Sequence, residues 1–320
     1  MRPFRKRSSG RHTPRRPLHP VALGMLVVLA VSGCGSSGAD TGGGAASGPA
    51  IPTEDVIGSV AKDESSAALL PADVRAAGVV KFGDSTGSPP SSFYREDGKT
   101  LVGVDIDFTD AVARVLGVRV DRELASFEAI LPALGSGKYQ VGTGNFGVTE
   151  ARKQTIDFVT YIDDGQGFAV RKDSDLGDVT NLAQLCGRRI GTGAGTTFEA
   201  TLEKNKHLCT DAGKPAYEVS SFSENGATTI ALQQRHIDAI MSTINGLRYA
   251  ASQQPWLKFL NEFHRLDVGF ALKKGSPLAP AFQAAVNKLI ADGTYQRILK
   301  KWGTEASAIA KSEISPPEHP

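Results

Sequence analysis

Residues 142–158, GTGNFGVTEARKQTIDF, place a single arginine, Arg152, after a Gly-rich turn and ahead of an apolar step from Ile156 to Phe158. A planar guanidinium makes two parallel charge-assisted hydrogen bonds to a carboxylate, and free backbone N–H groups of a turn can complete the shell. The pattern is therefore typical of a site for a small carboxylate. A surface arginine beside a helix cap at Thr149 gives the same pattern, so the local sequence leaves both interpretations open.

Around this motif, short apolar strands alternate with amphipathic helices. On its N-terminal side we predict strands and helices in the order 79–82 (strand), 107–116 (helix capped by Asp107), 118–124 (strand), a helix after Ser126 and 139–143 (strand). On its C-terminal side we predict strands at 167–171, 189–192, 219–222, 237–241 and 268–273, with helices at 182–185, from 198, at 227–234, from Pro277 and at 295–302. The alternation predicts an α/β fold.

A second Gly-rich turn, GAGTT at 193–197, also joins a strand to a helix. The N–H groups at a helix start and the positive end of the helix dipole attract anions, so Thr196 and Thr197 are candidate ligand-binding residues. The turn lacks the lysine of a P-loop, and a nucleotide phosphate is therefore not implied. A plain tight turn remains the alternative interpretation.

The N-terminal residues have the pattern of an export signal. Seven Arg and Lys residues and no acid occupy positions 2–16, and an apolar run follows from Val21 to Val31. Eleven residues are too few for a membrane-spanning helix, which needs roughly 20. We therefore predict a signal peptide at 1–33, with a short membrane anchor as the alternative. The pair Arg15-Arg16 leaves Sec and Tat export open.

Cys34 ends the run VSGC, which resembles the lipobox of bacterial lipoproteins. We predict that Cys34 is lipidated and that residues 34–70 hold this anchor and a flexible tether, because 35–52 is dominated by Gly, Ser and Ala. The protein would then stand outside the cytoplasm, attached to the cell membrane by the lipid.

Removal of residues 1–33 changes the charge of the chain. The whole sequence has a net charge of +2, but residues 34–320 hold 29 basic and 34 acidic side chains, a net charge of −5. The remaining chain has no net positive charge that would favour nucleic acid as a partner.

Cys186 and Cys209 are the other two cysteines. An exported chain meets oxidising conditions, so we favour a disulfide between them. Two buried free thiols and a metal site are the alternatives, and no further Cys or His spacing supports a metal. We expect no metal and no cofactor.

Seven collinear segments carry a resemblance to the family 3 extracellular solute-binding proteins, which serve ATP-driven (ABC) importers of polar amino acids. The segments are GVVKFGDSTGSPP from 78, GKTLVGVDIDF from 98, SFEAILPALGSGKY from 126, VTEARKQTIDF from 148, GRRIGTGAGTTFEATL from 187, IDAIMST from 237 and GFALKKGSPLAPAFQAAVNKLIADGTYQRILKKWG from 269. A branch of this family also has the cysteine pair.

The resemblance implies a type II periplasmic-binding-protein-like fold, with two α/β lobes joined by two crossing strands. Lobe 1 would take residues 71–166 and, on its return, 269–303; lobe 2 would take 167–268; and 304–320 would be a frayed tail. The hinges would lie at Asp163–Gly167 and Arg265–Val268 and let the lobes close on a ligand. The partners implied are a small-molecule carboxylate and an importer permease, for a monomeric binding protein.

The resemblance also assigns site residues. Arg152 matches the arginine that grips the ligand α-carboxylate, and Thr197 a residue whose backbone N–H assists it. Phe127 matches an aromatic against the ligand side chain, with plain core packing as the alternative. The remaining matches are turn positions that contact the ligand, Asn145 and Gly147, and an acid after the first strand that can meet a basic side chain, Asp84.

Two positions depart from the family pattern. Thr243, with Asn245 close by, stands where amino-acid binders carry the acid that holds the α-ammonium, and Ser88 stands where an aromatic lid is expected. An ammonium without its acid loses charge-assisted hydrogen bonds of about 1.5–3 kcal/mol each. The sequence therefore predicts a ligand other than a standard free α-amino acid: a modified amino acid, an opine-like compound or another small carboxylate.

Two other functions compete with transport. A dehydratase of this fold, acting on a cyclic carboxylate, would need a general acid in the cleft, for which Glu199 and Asp84 are the candidates. A ligand sensor for a membrane receptor would use the same cleft. The sequence favours a binding protein over an enzyme.

Overall fold

The computed structural model describes residues 50–224 and 226–319. The predicted signal peptide and lipidated Cys34 lie outside the described residues. Within them, the strands are β1 Val79–Asp84, β2 Phe93–Tyr94, β3 Leu101–Val102, β4 Arg119–Leu124, β5 Val141–Gly147, β6 Ile156–Arg171, β7 Arg189–Gly193, β8 Glu218–Phe222, β9 Ala239–Thr243 and β10 Leu257–Lys273. The helices are α1 Glu64–Ala68, α2 Ala72–Ala77, α3 Val104–Leu116, α4 Phe127–Ser136, α5 Thr197–Lys204, α6 His207–Asp211, α7 Ala227–Gln233, α8 Ile244–Gln253, α9 Ala279–Ala291 and α10 Thr294–Trp302.

One mixed sheet runs through the described chain in the order β4-β1-β5-β10-β6-β9-β7-β8. The outer strands pair in parallel, β1 with β4 and β5 on one side and β7 with β8 and β9 on the other. In the middle, β6 and β10 are antiparallel and pair from Arg171 with Leu257 to Ile156 with Lys273. The two strands are shared by both halves of the sheet.

Separate hydrophobic cores lie on the two halves, which we call lobe 1 and lobe 2. Lobe 1 packs α3, α9 and α10 on one face of its strands and α4 on the other. Lobe 2 packs α5 and α6 on one face and α7 and α8 on the other, and its buried side chains come from 168–257. This is the two-lobe α/β class that the sequence predicts.

The two segments predicted as hinges lie opposite each other on β6 and β10. Asp163 pairs with Asp267, and Gly165 pairs with Arg265. Gly165 has φ 141°, and a β carbon at this position would lie 2.2 Å from the carbonyl oxygen of His264. Glycine is therefore required where the chain passes from one lobe to the other. The role of these segments in closure stays a prediction.

Some predicted element boundaries are wrong. Helix α3 begins at Val104 and not after Asp107, because the N–H groups of Val104 and Asp105 already bond to the carbonyls of Pro90 and Ser91. The carboxylate of Asp107 binds Lys301 and the indole N–H of Trp302 instead of capping. The glycines of 142–147 lie within β5 rather than in a turn.

The tether that we predicted to reach residue 70 ends earlier. Val56, Ile57 and Leu70 are buried in the main core of lobe 1. Helix α1 between them is capped by Asp63, whose side chain accepts a hydrogen bond from the N–H of Ser66. Sequence composition alone did not distinguish this short packed segment from the linker before it.

The prediction of a frayed tail after residue 303 is also wrong. The N–H of Thr160 in β6 donates to the carbonyl of Glu313 (3.0 Å), and the N–H of Ser315 donates to the carbonyl of Phe158 (2.8 Å). The hydroxyl of the buried Ser312 donates to the carbonyl of Thr160 at 2.7 Å. The tail thus covers backbone groups of β6 that β10 does not pair.

Cys186 and Cys209 form the predicted disulfide, with their Cα atoms 5.5 Å apart. The bond ties the 3-10 turn Leu182–Leu185 to α6 on one face of lobe 2. Across residues 50–224 and 226–319, every helix is too short or too polar to cross a membrane.

Deleting residues 304–320 should lower the unfolding free energy by at least about 3 kcal/mol, because four of the hydrogen bonds between 312–315 and β6 alone are each worth about 1 kcal/mol. Urea denaturation monitored by circular dichroism measures this change. Deletion of 317–320 alone keeps those four bonds and should cost much less. Equal losses from the two deletions would contradict the assignment.

Replacing both Cys186 and Cys209 by serine should lower the unfolding free energy by about 3 kcal/mol, since the bond closes a loop between residues 23 positions apart. The comparison is made by urea denaturation with and without a reducing agent. The reducing agent should destabilise the wild type and leave the double variant unchanged. An insensitive wild type would show that the bond contributes nothing.

Candidate ligand cleft between the lobes

A cavity of about 470 Å³ lies between the two lobes. Both lobes supply polar and aromatic side chains to its wall, so a ligand there would touch both. From lobe 1 these include Ser85, Ser91, Phe127, Asn145 and Arg152, and from lobe 2 Thr196, Thr197, Phe222, Thr243 and Tyr249.

Arg152 is held by two carbonyl groups, one from each lobe. Its Nη1 donates to the carbonyl of Gly147 at 3.0 Å, and its Nη2 donates to the carbonyl of Gly195 at 3.1 Å. The guanidinium also lies over the rings of Phe127 and Phe146, 5.7 and 5.9 Å from their centroids. A guanidinium has five N–H donors, and these two bonds leave others for a ligand.

The charge of Arg152 has no protein counter-ion among the described residues, since none of their carboxylates lies within ion-pair distance of it. Burial lowers the pKa of the guanidinium to about 10, because the charged form loses hydration. The side chain is still a cation at neutral pH. A partly buried cation that has no protein counter-ion and faces a cavity is suited to binding an anion.

The second turn, at 193–197, faces Arg152 from lobe 2. Thr196 caps α5: its hydroxyl accepts from the N–H of Glu199 at 3.2 Å and donates to the carbonyl of Gly193 at 2.7 Å. Thr197 is the first residue of α5 and lines the cavity. The positive end of the helix dipole therefore points to the same region as the guanidinium.

Phe127 packs against the core and also lines the cavity, and its contact with a ligand stays a prediction. Its ring stacks on the buried Phe146, with centroids 4.6 Å apart, and it also lines the cavity. The side chain is half-buried, so part of its surface stays exposed. The two interpretations of this residue are thus compatible.

Of the two predicted turn residues, Asn145 lines the cavity and Gly147 does not. Asn145 lines the cavity in the left-handed backbone region, with φ 59°, and its amide donates to a carboxylate oxygen of Asp164 at 3.0 Å. Gly147 is buried and contributes its carbonyl to Arg152 rather than a surface to the cavity. A β carbon on Gly147 would lie 3.2 Å from Leu266 and 3.6 Å from the methyl of Thr197.

Thr243 lines the cavity at the start of α8, and its hydroxyl accepts from the N–H of Gly246 at 3.1 Å. Asn245 is buried and points elsewhere, since its amide donates to the hydroxyl of Ser307 at 2.8 Å. Of these two neighbours, only Thr243 is placed to meet a ligand.

Asp84, predicted to meet a ligand, does not line the cavity. It is fully buried, and its carboxylate is bonded to the guanidinium of Arg122, which also binds Asp110 at 3.0 Å. Arg122 lies on the adjacent strand β4, so the pairing of β1 with β4 brings the two charges together. The prediction is therefore corrected: a protein arginine occupies this acid.

Three buried carboxylates lie behind the cleft: Asp84, Asp105 and Asp164. Burial raises the pKa of Asp84 and of Asp164 to about 6 and that of Asp105 to about 7. The negative charges of Asp84 and Asp164 also raise the pKa of Asp105. Asp105 accepts a hydrogen bond from the hydroxyl of Tyr161 at 2.8 Å, and Asp164 accepts from the N–H of Asn245 at 3.1 Å.

The enzyme alternative loses both of its candidate acids. Glu199 accepts from the N–H of Gly195 at 2.7 Å and binds the hydroxyl of Ser221, so it holds the turn. Asp84 is paired with Arg122. Of the described lining residues, the acids are Glu128 and Glu224, both exposed. The described residues also contain no group of acids, histidines and cysteines that could hold a metal ion.

Sequence reasoning missed the part of the cavity wall formed by α7 and α8. Tyr249 lines the cavity and lies 6.0 Å from Phe93 of lobe 1, centroid to centroid. It adds an aromatic ring to the part of the cavity wall that lobe 2 supplies. The signal in the sequence was Tyr249 itself, an aromatic six residues after the candidate site residue Thr243.

The fold and the cleft define a two-lobe ligand-binding protein. Residues 80–305 match the family model of the bacterial extracellular solute-binding proteins, family 3. The chain belongs to this family. The resemblance that the sequence predicts is thereby confirmed.

Relatives of known name are amino-acid-binding proteins, and some are named as parts of ABC transporters. The arginine-binding protein ArgT of Corynebacterium glutamicum is 27% identical over 251 residues, covering 78% of this chain and 82% of its own length. The ABC transporter glutamine-binding protein GlnH of Bacillus subtilis is 26% identical over 296 residues, covering 89% of this chain and 96% of its own. These relatives support the prediction of a binding protein rather than an enzyme.

Solved structures agree with this assignment. An ancestral arginine-binding protein bound to arginine superposes with a TM-score of 0.64 at 33% identity, covering 70% of this chain and 98% of its own. The ancestral amino acid-binding protein AncCDT-1, a precursor of cyclohexadienyl dehydratase, superposes with a TM-score of 0.63 at 25% identity, covering 72% and 97%.

Replacing Asp105 by asparagine should flatten the pH dependence of stability. An acid whose pKa is raised from 3.8 to about 7 on folding takes up a proton between these values, so wild-type stability falls as pH rises through that window. The variant lacks this loss, and its unfolding free energy should fall less from pH 4.5 to 8 in urea titrations. The same replacement at the exposed Asp121 should keep the wild-type slope, and equal slopes in both variants would refute the assignment.

Proposed function

We propose that the protein captures a small, amino-acid-like carboxylate between its lobes and delivers it to an ABC importer. The observation that carries this proposal is Arg152: a desolvated guanidinium without a protein counter-ion that faces a cavity between the lobes. The helix start at Thr197 adds a second attraction for an anion from the opposite lobe. Family membership and the named ABC transporter relative support the transport role.

The other end of the cleft favours a ligand other than a standard free amino acid. Thr243 offers a hydroxyl and not a carboxylate at the position that the resemblance assigns to the α-ammonium. Asp84, the acid that the resemblance assigns to a basic ligand side chain, is already paired with Arg122. Relatives named for arginine therefore do not carry their ligand over to this chain.

Attachment to the membrane belongs to the same proposal. The lipobox-like VSGC ends the apolar run, and a lipid on Cys34 would hold a monomeric binding protein near its permease. The Gly- and Ser-rich stretch that follows is long enough to act as a linker.

Replacing Arg152 by glutamine should weaken carboxylate binding by at least about 2 kcal/mol, or roughly 30-fold, because charge-assisted hydrogen bonds are lost. A thermal-shift screen of the twenty amino acids, their N-acetyl derivatives and small dicarboxylates selects the probe, and calorimetry measures its affinity. Lys153→Gln is the matched control, since Lys153 bonds to the carbonyl of Pro316 and to Glu150 and does not line the cavity.

Two results would count against the proposal. Unchanged affinity in the Arg152 variant would remove the carboxylate anchor. Tight binding of several standard amino acids to the wild type would contradict the nonstandard ligand while keeping the anchor.

A further inference from the structure

The cavity does not end at the cleft. Its lining extends into lobe 2 onto α7, through Ile230 and Gln233, and onto α8, through Leu247, Ala250 and Gln253. Its wall also includes Ile240 of β9 and Leu257 at the start of β10. We call this extension the side arm. From Gly246 to Gln253 it follows α8 for about 10 Å, at 1.5 Å per residue.

The side arm offers apolar and neutral polar groups. Of the residues that α7, α8, β9 and β10 contribute to the lining, the one ionisable group is the phenol of Tyr249, and burial raises its pKa. Ile230 is 56% exposed, a large apolar side chain left uncovered at this edge. A charged group would lose hydration there without a partner, whereas an uncharged chain would gain from burial.

Thr243 joins the side arm to the carboxylate anchor. It is the last residue of β9 and caps α8, the helix that forms one wall of the arm. Its hydroxyl accepts from the N–H of Gly246, so its own proton is available to donate. That donor suits a carbonyl oxygen, such as the acyl oxygen of an amide, and an ammonium cannot accept it.

We propose that the side arm is a subsite for the uncharged acyl chain of an N-acylated amino acid whose carboxylate binds Arg152. The inference rests on the proposed function, because the carboxylate sets the position of the chain. The amide nitrogen of such a ligand is neutral, so the absence of an acid at Thr243 carries no cost.

The test compares N-acetyl and N-hexanoyl derivatives of the same amino acid by calorimetry on the full chain. Each buried methylene adds about fourfold in affinity, so the hexanoyl derivative should bind at least about tenfold more tightly than the acetyl one. Ala250→Phe fills the arm and should abolish this advantage while leaving acetyl binding intact. Ser252→Phe, on the exposed face of α8 outside the lining, is the matched control.

Gln233→Phe narrows the side arm from α7 at an exposed position. It replaces Ala250→Phe in the test if that variant does not fold. Equal affinities for the two chain lengths, or an advantage that survives both variants, would overturn the subsite. Binding that still depends on Arg152 in that case would leave the proposed function standing. Absence of binding by every carboxylate in the panel would overturn both.

Discussion

The antiparallel pairing of β6 with β10 is the interaction on which the rest of the structure depends. One ladder of backbone hydrogen bonds passes from lobe 2 into lobe 1, and each lobe builds its own sheet outward from it. Because the same two strands belong to both lobes, the lobes share a common axis. The groups that face each other across the cleft, Arg152 and the turn at Gly195, are placed by this shared pair.

Arg152 combines two tasks in one side chain. It belongs to lobe 1, and it reaches the carbonyl of Gly195 in lobe 2 while remaining part of the cavity wall. Any anion that it binds is therefore also tied to the contact between lobes. On the proposed function, this guanidinium couples lobe closure to ligand recognition.

The sequence predicted the local elements well where periodicity decides the structure. The apolar stripe that begins at Phe127 became α4, the alternation of strands and helices predicted the α/β class, and the family resemblance implied the two lobes. Prediction from the sequence failed where backbone pairing between distant segments decides the structure. Residues 312–315 carry one apolar side chain, Ile314, and no periodic pattern, and they are held by hydrogen bonds to β6. The full lengths of β6 and β10 were missed for the same reason, since their middle sections are polar.

At the site, a sequence motif predicted the position of Arg152, but it did not predict which acids are already paired with protein arginines. Asp84 looks available in the sequence, because the strand pairing that brings Arg122 beside it is a tertiary effect. The part of the cavity wall formed by α7 and α8 could not be predicted from the sequence, since neither helix carries a motif and their separation depends on packing. Spacing along the chain reports neighbours within an element and not the gaps between elements.

The shared strand pair also sets the order in which the chain completes its contacts during synthesis. The buried core of lobe 2 comes from one continuous stretch, 168–257, and is available before lobe 1 is finished. Strand β5 pairs with β1 on one side and with β10 on the other. Until β10 is made, that second edge has free N–H and carbonyl groups, which favour pairing with other chains. The exposure lasts for the whole synthesis of lobe 2.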